Sequence, residues 1–201
     1  MSTSGPDLTA LVGSRICHDL ISPLGAIGNG LELLGMAQPG QAGSEELSLI
    51  HQSVANANAR VRFYRVAFGA ADRTQKIART ELTSILRDSF TGGRIAVEQT
   101  LGDDLNRADA KLALLLVLCL ETALPRGGTI SVTQDGPRWH LSGTGPRVSA
   151  NEVLWQSITS PVLDAHFSAA EVQFALLPAA TARAGRALSV SLGESAIEIR
   201  F

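Results

Sequence analysis

Aromatic side chains are scarce in this sequence, 4% of 201 residues, which excludes the stacking platforms that single-stranded nucleic acids and flat sugar surfaces require. Charge is thin as well. Only 18% of residues are charged, against roughly 25% in an average soluble domain, and 17 basic groups facing 19 acidic ones leave a formal charge of -2. A nucleic-acid backbone is held by a basic surface that displaces its counterions, so no nucleic acid is expected as a partner. Cysteine is limited to Cys17 and Cys119, far apart in apolar segments, with no second Cys or His at zinc-finger spacing. Reduced, buried thiols in a cytoplasmic protein are the expectation. No long hydrophobic run exists either: the longest, Leu112 to Leu120 between Lys111 and Glu121, is about half of the ~18 residues that a membrane span needs. Met1 to Pro6 is small and polar without a basic or apolar leader, so neither a signal peptide nor a membrane partner is expected.

What is present is apolar aliphatic material, with 45% hydrophobic residues to form a core of Leu, Ala, Val and Ile. From Asp7 to about Ala37 the apolar positions Leu8, Val12, Ile16, Leu20, Leu24, Ile27, Leu31 and Leu34 recur at spacings of 3 and 4, predicting a long amphipathic helix. Pro23 falls inside it and should bend it. Gln38 to Gly43 reads as a turn, and Ser44 can cap a second helix with Glu45 and Glu46 in its first turn, where the helix dipole favours acids. The seam of that helix is Leu47, Ile50, Val54, Ala57, Val61, Tyr64 and Phe68. One hairpin cannot close a core around two such stripes, so a four-helix bundle made by two chains, a homodimer, is expected.

Beyond a weak connection at Ala71 to Arg79 the periods mix. Leu82 to Phe90 suggests a short helix, Arg94 to Thr100 a strand, Arg107 to Leu124 a buried helix and Thr129 to Gln134 a strand. Asp135-Gly136 signals a hairpin into Arg138 to Ser142; a helix over Ser168 to Ala184 precedes strands at Ala187 to Leu192 and Ala196 to Phe201. The fold class predicted is α+β: an N-terminal antiparallel helical hairpin over residues 1–74, then an α/β sandwich over 75–201 with a mostly antiparallel sheet against helices.

Four histidines could carry chemistry. His51, His140 and His166 are isolated and not metal-spaced, and structural or surface roles suffice for them. His18 differs by position. At 100° per residue it lies roughly 160° from Leu20, on the face opposite the apolar stripe, with Ser22, Gly25 and Asn29 on the same outer strip. Asp19 could hold one ring nitrogen as donor and leave the other as a nucleophile. Cys17 diverges from His18 by about 100°, which argues against a thiol-imidazole dyad. Glycines 25, 28 and 30 each cost a helix about 1 kcal/mol relative to Ala, and suggest close approach by a partner surface.

The string Ile16 to Leu24, ICHDLISPL, resembles the phospho-acceptor box of sensor histidine kinases through His18, Asp19, Ser22, Pro23 and Leu24, departing at Ile21 where kinases usually carry Arg. Over CHDLISPLGAIGNGLELL, and along the whole chain, it is similar to the ChpT-type histidine phosphotransferases of alphaproteobacteria, which act in cell-cycle signalling. That resemblance implies a dimeric helical bundle joined to a degenerate histidine-kinase ATPase-like domain. Ala110 to Gly128 resembles the kinase helix that supplies a magnesium-binding Asn, yet no asparagine occurs between Asn106 and Asn151. Ser142 to Val148, SGTGPRV, resembles the adenine motif S-D-T-G-P-G-I with Gly143 replacing the Asp and Arg147 replacing a Gly, and the later glycines Gly185 and Gly193 form no G-x-G loop. The resemblance therefore implies no ATP and no cofactor of the chain's own.

It further implies a phosphorelay in which His18 is nucleophile and phosphohistidine, Asp19 its orienter or general base and Ser22 a polar contact. Arg15, Pro23, Gly25 and Asn29 would face the partner. Partners would be the receiver of a CckA-type hybrid kinase and CtrA-type or CpdR-type response regulators, the receiver bringing Mg2+. Arg60, Arg62 and Arg65 could touch an acidic receiver, although helix-dipole stabilisation and solvation explain them equally well. An autokinase with an unconventional nucleotide site and a non-catalytic receiver-binding scaffold are the alternatives.

Overall fold

The structure, a computed structural model, describes residues 7–36, 44–159 and 166–201. Asp7 starts the first helix: its Oδ1 accepts from the backbone N–H groups of Thr9 and Ala10, both at 3.1 Å, satisfying two donors that have no partner within the helix. Helix α1 spans Leu8–Met36 and α2 Ser44–Ala67, running antiparallel. The expected turn at Gln38 to Gly43 and the capping side chain of Ser44 lie outside the described residues. α1 is continuous through Pro23, whose missing N–H leaves the carbonyl of Asp19 without its usual helical donor.

Of the glycines expected to allow close approach, Gly30 is the one that does so within the chain. A Cβ there would stand 2.6 Å from Ile50 Cγ1, so the bare backbone lets α1 close on α2. Gly25 and Gly28 meet nothing within 4 Å.

The α/β half follows. β1 (Lys76–Ile77) leads into α3 (Arg79–Phe90), then come β2 (Ile95–Thr100), β3 (Leu105–Asn106) and α4 (Arg107–Ala123). Asn106 caps α4 by accepting from the N–H of Ala108 at 2.8 Å. β4 (Gly128–Asp135) and β5 (Arg138–Thr144) form the expected hairpin, followed by α5 (Glu152–Ser157), a 3-10 turn at Ala169–Glu171, α6 (Val172–Ala184), β6 (Ser189–Leu192) and β7 (Ala196–Arg200). The main sheet has the order β2-β4-β5-β7-β6. Only β2 and β4 run parallel in it, with Val97 opposite Ile130; β1 and β3 make a separate antiparallel pair. In β4 the side chains alternate, Ile130, Val132 and Gln134 buried and their neighbours less so, the period of a sheet packed on one face. α4 is the central helix: Leu112 and every residue from Leu114 to Leu120 are fully buried. None of the described helices is long and apolar enough to cross a membrane.

α2 has two apolar faces, and the seam read from the sequence is only one of them. Ala59, Phe63, Val66 and Ala67, on an adjacent face, are buried, and the last three join the same core as α3, α4 and the sheet. Phe63 sits edge-on to Tyr64 and to Phe90, with ring centroids 5.9 and 6.3 Å away. Truncating a buried Phe to Ala typically costs ~3–5 kcal/mol through lost burial and the cavity left behind. Phe63→Ala is therefore expected to lower the urea midpoint by an amount of that order; an unchanged midpoint would show that α2 is not anchored through this ring. Meanwhile Leu24, Leu31, Leu47, Val54 and Val61, all from the predicted seams, stay exposed on the single chain.

Candidate functional site

The outer strip of α1 is placed as the helical wheel requires. The His18 side chain is 85% exposed, and Ser22, Gly25 and Asn29 are exposed along the same face while Pro23 is half-buried. Asp19 is one step round the helix, at the boundary of exposed and buried faces, its side chain 15% exposed. Its Oδ1 lies 3.1 Å from His18 Nδ1. Its Oδ2 accepts from Arg15 Nε at 3.0 Å, one helical turn back, and from the Tyr64 hydroxyl on α2.

Arg15, expected to face a partner, is turned inward instead. It is 12% exposed, donates through Nη1 to the carbonyl of Ala170 at 2.9 Å, and brings Nη2 within 4.0 Å of Glu121 on α4. The physical reason is its i, i+4 spacing to Asp19, which draws the guanidinium along the helix and into the junction with the α/β half. Arg60 pairs with Glu121 from the other side at 3.3 Å, and its guanidinium carbon lies 5.5 Å from the centre of the Phe90 ring. Arg62 binds Asp88 at 2.7 Å and Arg65 binds Glu81 at 2.9 Å, so all three arginines find acids on α3 and α4 of their own chain.

Burial pushes the Asp19 carboxyl up, but hydrogen bonds from Tyr64 and His18 and the charges of Arg15 and Arg60 outweigh it, holding the group below the usual carboxylate range. Asp19 is thus ionised and can only accept, so its Oδ1 is an acceptor for an N–H at His18 Nδ1, and a ring protonated there alone presents its lone pair at Nε2. Cys17, expected to be buried, is exposed, because one step from Ile16 carries it off the inward stripe; Cys119 is buried and both are free.

Beside His18 an open polar cleft of about 350 Å³ separates the hairpin from the α/β half, with Ser22 and Pro23 of α1, Asn56 and Arg60 of α2, and Thr91 to Gly93 after α3 on its walls. The sequence reading missed Tyr64, Glu121 and the cleft. Tyr64 was legible as an apolar seam residue, but nothing in its spacing distinguishes a packed ring from a hydrogen-bonding one.

Farther away, the segment resembling an adenine motif is packed shut on one side. A Cβ at Gly143 would stand 3.0 Å from Leu120 Cδ2 of α4, and Leu154, Trp155, Phe174 and Leu177 are buried where α5 and α6 pack together, the Trp155 and Phe174 rings 5.5 Å apart. Among the described residues no three His, Cys, Asp or Glu side chains converge to hold a metal ion.

Comparison with known proteins agrees with this architecture. Residues 79–196 match the family described as the histidine phosphotransferase C-terminal domain. Protein phosphotransferase ChpT of Brucella abortus (strain 2308) is 40% identical over 158 residues, covering 73% of this chain and 68% of that protein. A solved bacterial phosphotransferase superposes with a TM-score of 0.80 at 30% identity, over 100% of this chain and 98% of the other. The histidine kinase AdeS of Acinetobacter baumannii is more distant, with a TM-score of 0.43 at 13% identity over 91% of this chain and 95% of that one.

Proposed function

The chain belongs to the histidine phosphotransferase family, and from that premise we propose that His18 carries a phosphoryl group between the aspartates of receiver domains. The observation that supports this reading best is the pairing of an 85% exposed imidazole with an ionised carboxylate 3.1 Å from Nδ1. A nucleophile must be reachable and must present its lone pair outward, and that pairing provides both. In the transfer, Nε2 attacks the phosphorus of an aspartyl phosphate. The N–P bond forms as the P–O bond of the acyl phosphate breaks, and the receiver carboxylate leaves with the bonding pair. Reversal onto a second receiver's aspartate completes a phosphorelay.

Asp19, the acid paired with the imidazole, and Glu121 behind it on α4 are each engaged with arginines and do not fit a magnesium cage. Any magnesium would come with the receiver. The reading also takes the chain as a phosphotransferase that does not use ATP. Its support is the sequence SGTGPRV with Gly143 against Leu120, where a kinase would present an acid to adenine. By resemblance the donor is the receiver of a CckA-type hybrid kinase and the acceptors are CtrA-type and CpdR-type regulators. Incubation with a phosphorylated receiver should leave acid-labile label on this chain; an unlabelled chain would overturn the assignment.

The working form is proposed to be a homodimer. Leu24, Leu31, Leu47, Val54 and Val61 form apolar seams that the chain itself leaves exposed. A second hairpin of the same pattern covers them at roughly 1.5–3 kcal/mol per fully buried large side chain. Light scattering at micromolar concentration should give twice the chain mass, and a monomer would contradict the bundle.

A further inference from the structure

The phenol of Tyr64 is fixed more tightly than a seam residue needs. Its ring is 3% exposed, stacked on Phe68 with centroids 5.0 Å apart and 15° between the planes, and edge-on to Phe63. With the ring clamped on both sides, the hydroxyl has one direction available, and it donates to Asp19 Oδ2 across the helix pair. Arg15 Nε donates to the same oxygen at 3.0 Å and is itself anchored by the carbonyl of Ala170 at 2.9 Å. Two donors from two helices therefore saturate Oδ2, and the other oxygen, Oδ1, is the one left for His18 Nδ1.

We propose that Tyr64, with Arg15, is a positioning residue for phosphotransfer: by fixing Oδ2 of Asp19 it aims Oδ1 at Nδ1 of His18 and keeps the Nε2 lone pair outward. This rests on the phosphotransfer reading of His18 and assigns it a supporting layer that the acceptor box does not contain. All the charged groups facing the Asp19 carboxylate are consistent with the role. Arg15 and His18 come from α1, Arg60 from α2, and Glu121 of α4 is occupied by the two arginines. Burial, then the neighbouring Asp19 carboxylate, push the Tyr64 phenol up to about 12, so it stays a donor throughout the neutral range.

The consequence for transfer follows from charge. When Nε2 bonds to phosphorus and the receiver carboxylate departs with the P–O electron pair, the ring becomes a phosphoimidazolium that still carries its Nδ1 proton. That proton remains shared with Asp19, whose negative charge balances the ring. A carboxylate free to rotate away would release Nδ1, let the proton settle on Nε2 in the resting ring, and so block the attacking atom.

Tyr64→Phe tests this because it keeps the ring packing and removes only the hydroxyl. Two measurements are made: the His18 ring tautomer by 15N NMR of the unphosphorylated protein, and the rate of transfer from a phosphorylated receiver across receiver concentrations. The wild-type ring should carry its proton on Nδ1, and the variant should show a mixture with the Nε2-protonated form. Transfer at saturating receiver should slow roughly ten- to a hundredfold, less than the whole of a typical acid-base contribution because Arg15 remains. Half-saturating receiver concentration should stay unchanged. An unaltered tautomer overturns the proposal even if transfer slows, since the hydroxyl would then be a structural bond only; so does a wild-type transfer rate. A wild-type protein that takes no label at all sinks the phosphotransfer reading itself, and a ring protonated on Nδ1 would then show that the hydrogen bonds exist without that role.

Discussion

His18→Gln is expected to abolish labelling from a phosphorylated receiver while leaving the fold, the melting temperature and the oligomeric state of the wild type. The imidazole is 85% exposed and is not part of the core, so its replacement removes no buried area, and exposed substitutions away from special features usually fall within about 0.5 kcal/mol. Chemically the loss is total, because a Gln amide has no lone pair on nitrogen available to attack phosphorus and no other imidazole can substitute. His51 lies elsewhere on α2, His140 is on β5 and His166 is exposed in the α/β half. The amide of Gln can still offer a donor to Asp19, which keeps the carboxylate from being left without a partner on that side. Label retained on the variant would place the phospho-acceptor elsewhere; a large drop in melting temperature would show that His18 contributes to the fold in a way its exposure does not suggest.

Gly25→Arg should produce the second large effect, a severe slowing of transfer from lost receiver docking with no loss of stability. Seven residues after His18, position 25 lies about 10 Å along the helix and nearly in line with the imidazole. A Cβ built there meets nothing within 4 Å, so an added side chain enters open space and disturbs no neighbour. Losing a helical glycine gains roughly half a kcal/mol or more in propensity, so the helix itself should be slightly more stable. What the long cationic side chain obstructs is any protein surface that must close over His18. Thermal melting and receiver affinity measured on the same variant separate the two effects. Unchanged affinity with a lowered melting temperature would show that this face is not where receivers dock and that Gly25 serves the backbone beyond Pro23.

The sequence by itself determined the parts of this protein that obey a local period. Spacings of 3 and 4 placed both hairpin helices and the buried α4, alternation placed β2, β4 and β5, and the wheel angle alone put His18, Ser22, Gly25 and Asn29 on one outward strip. Asp19 as the neighbour of the ring followed from adjacency. The helix expected over Ser168 to Ala184 opens as a 3-10 turn before α6, whereas elements too short to show a period escaped the sequence, namely the two-residue strands β1 and β3 and the six-residue α5. So did everything that depends on which helix meets which. Arg15, Arg60, Arg62 and Arg65 read as free surface cations because their acids, Asp19 apart, stand 16 to 106 positions away in the chain, and ion pairing across such a separation exists only once α2, α3 and α4 are docked. The second apolar face of α2 was visible as Ala59, Phe63, Val66 and Ala67, but a helix with two stripes does not say which one faces its own chain. Tyr64 combines both limits. Its place on the seam came from period, whereas its hydroxyl's bond to Asp19, 45 residues earlier, was decided by the docking of α2 on α1 and by the aromatic neighbours that hold the ring.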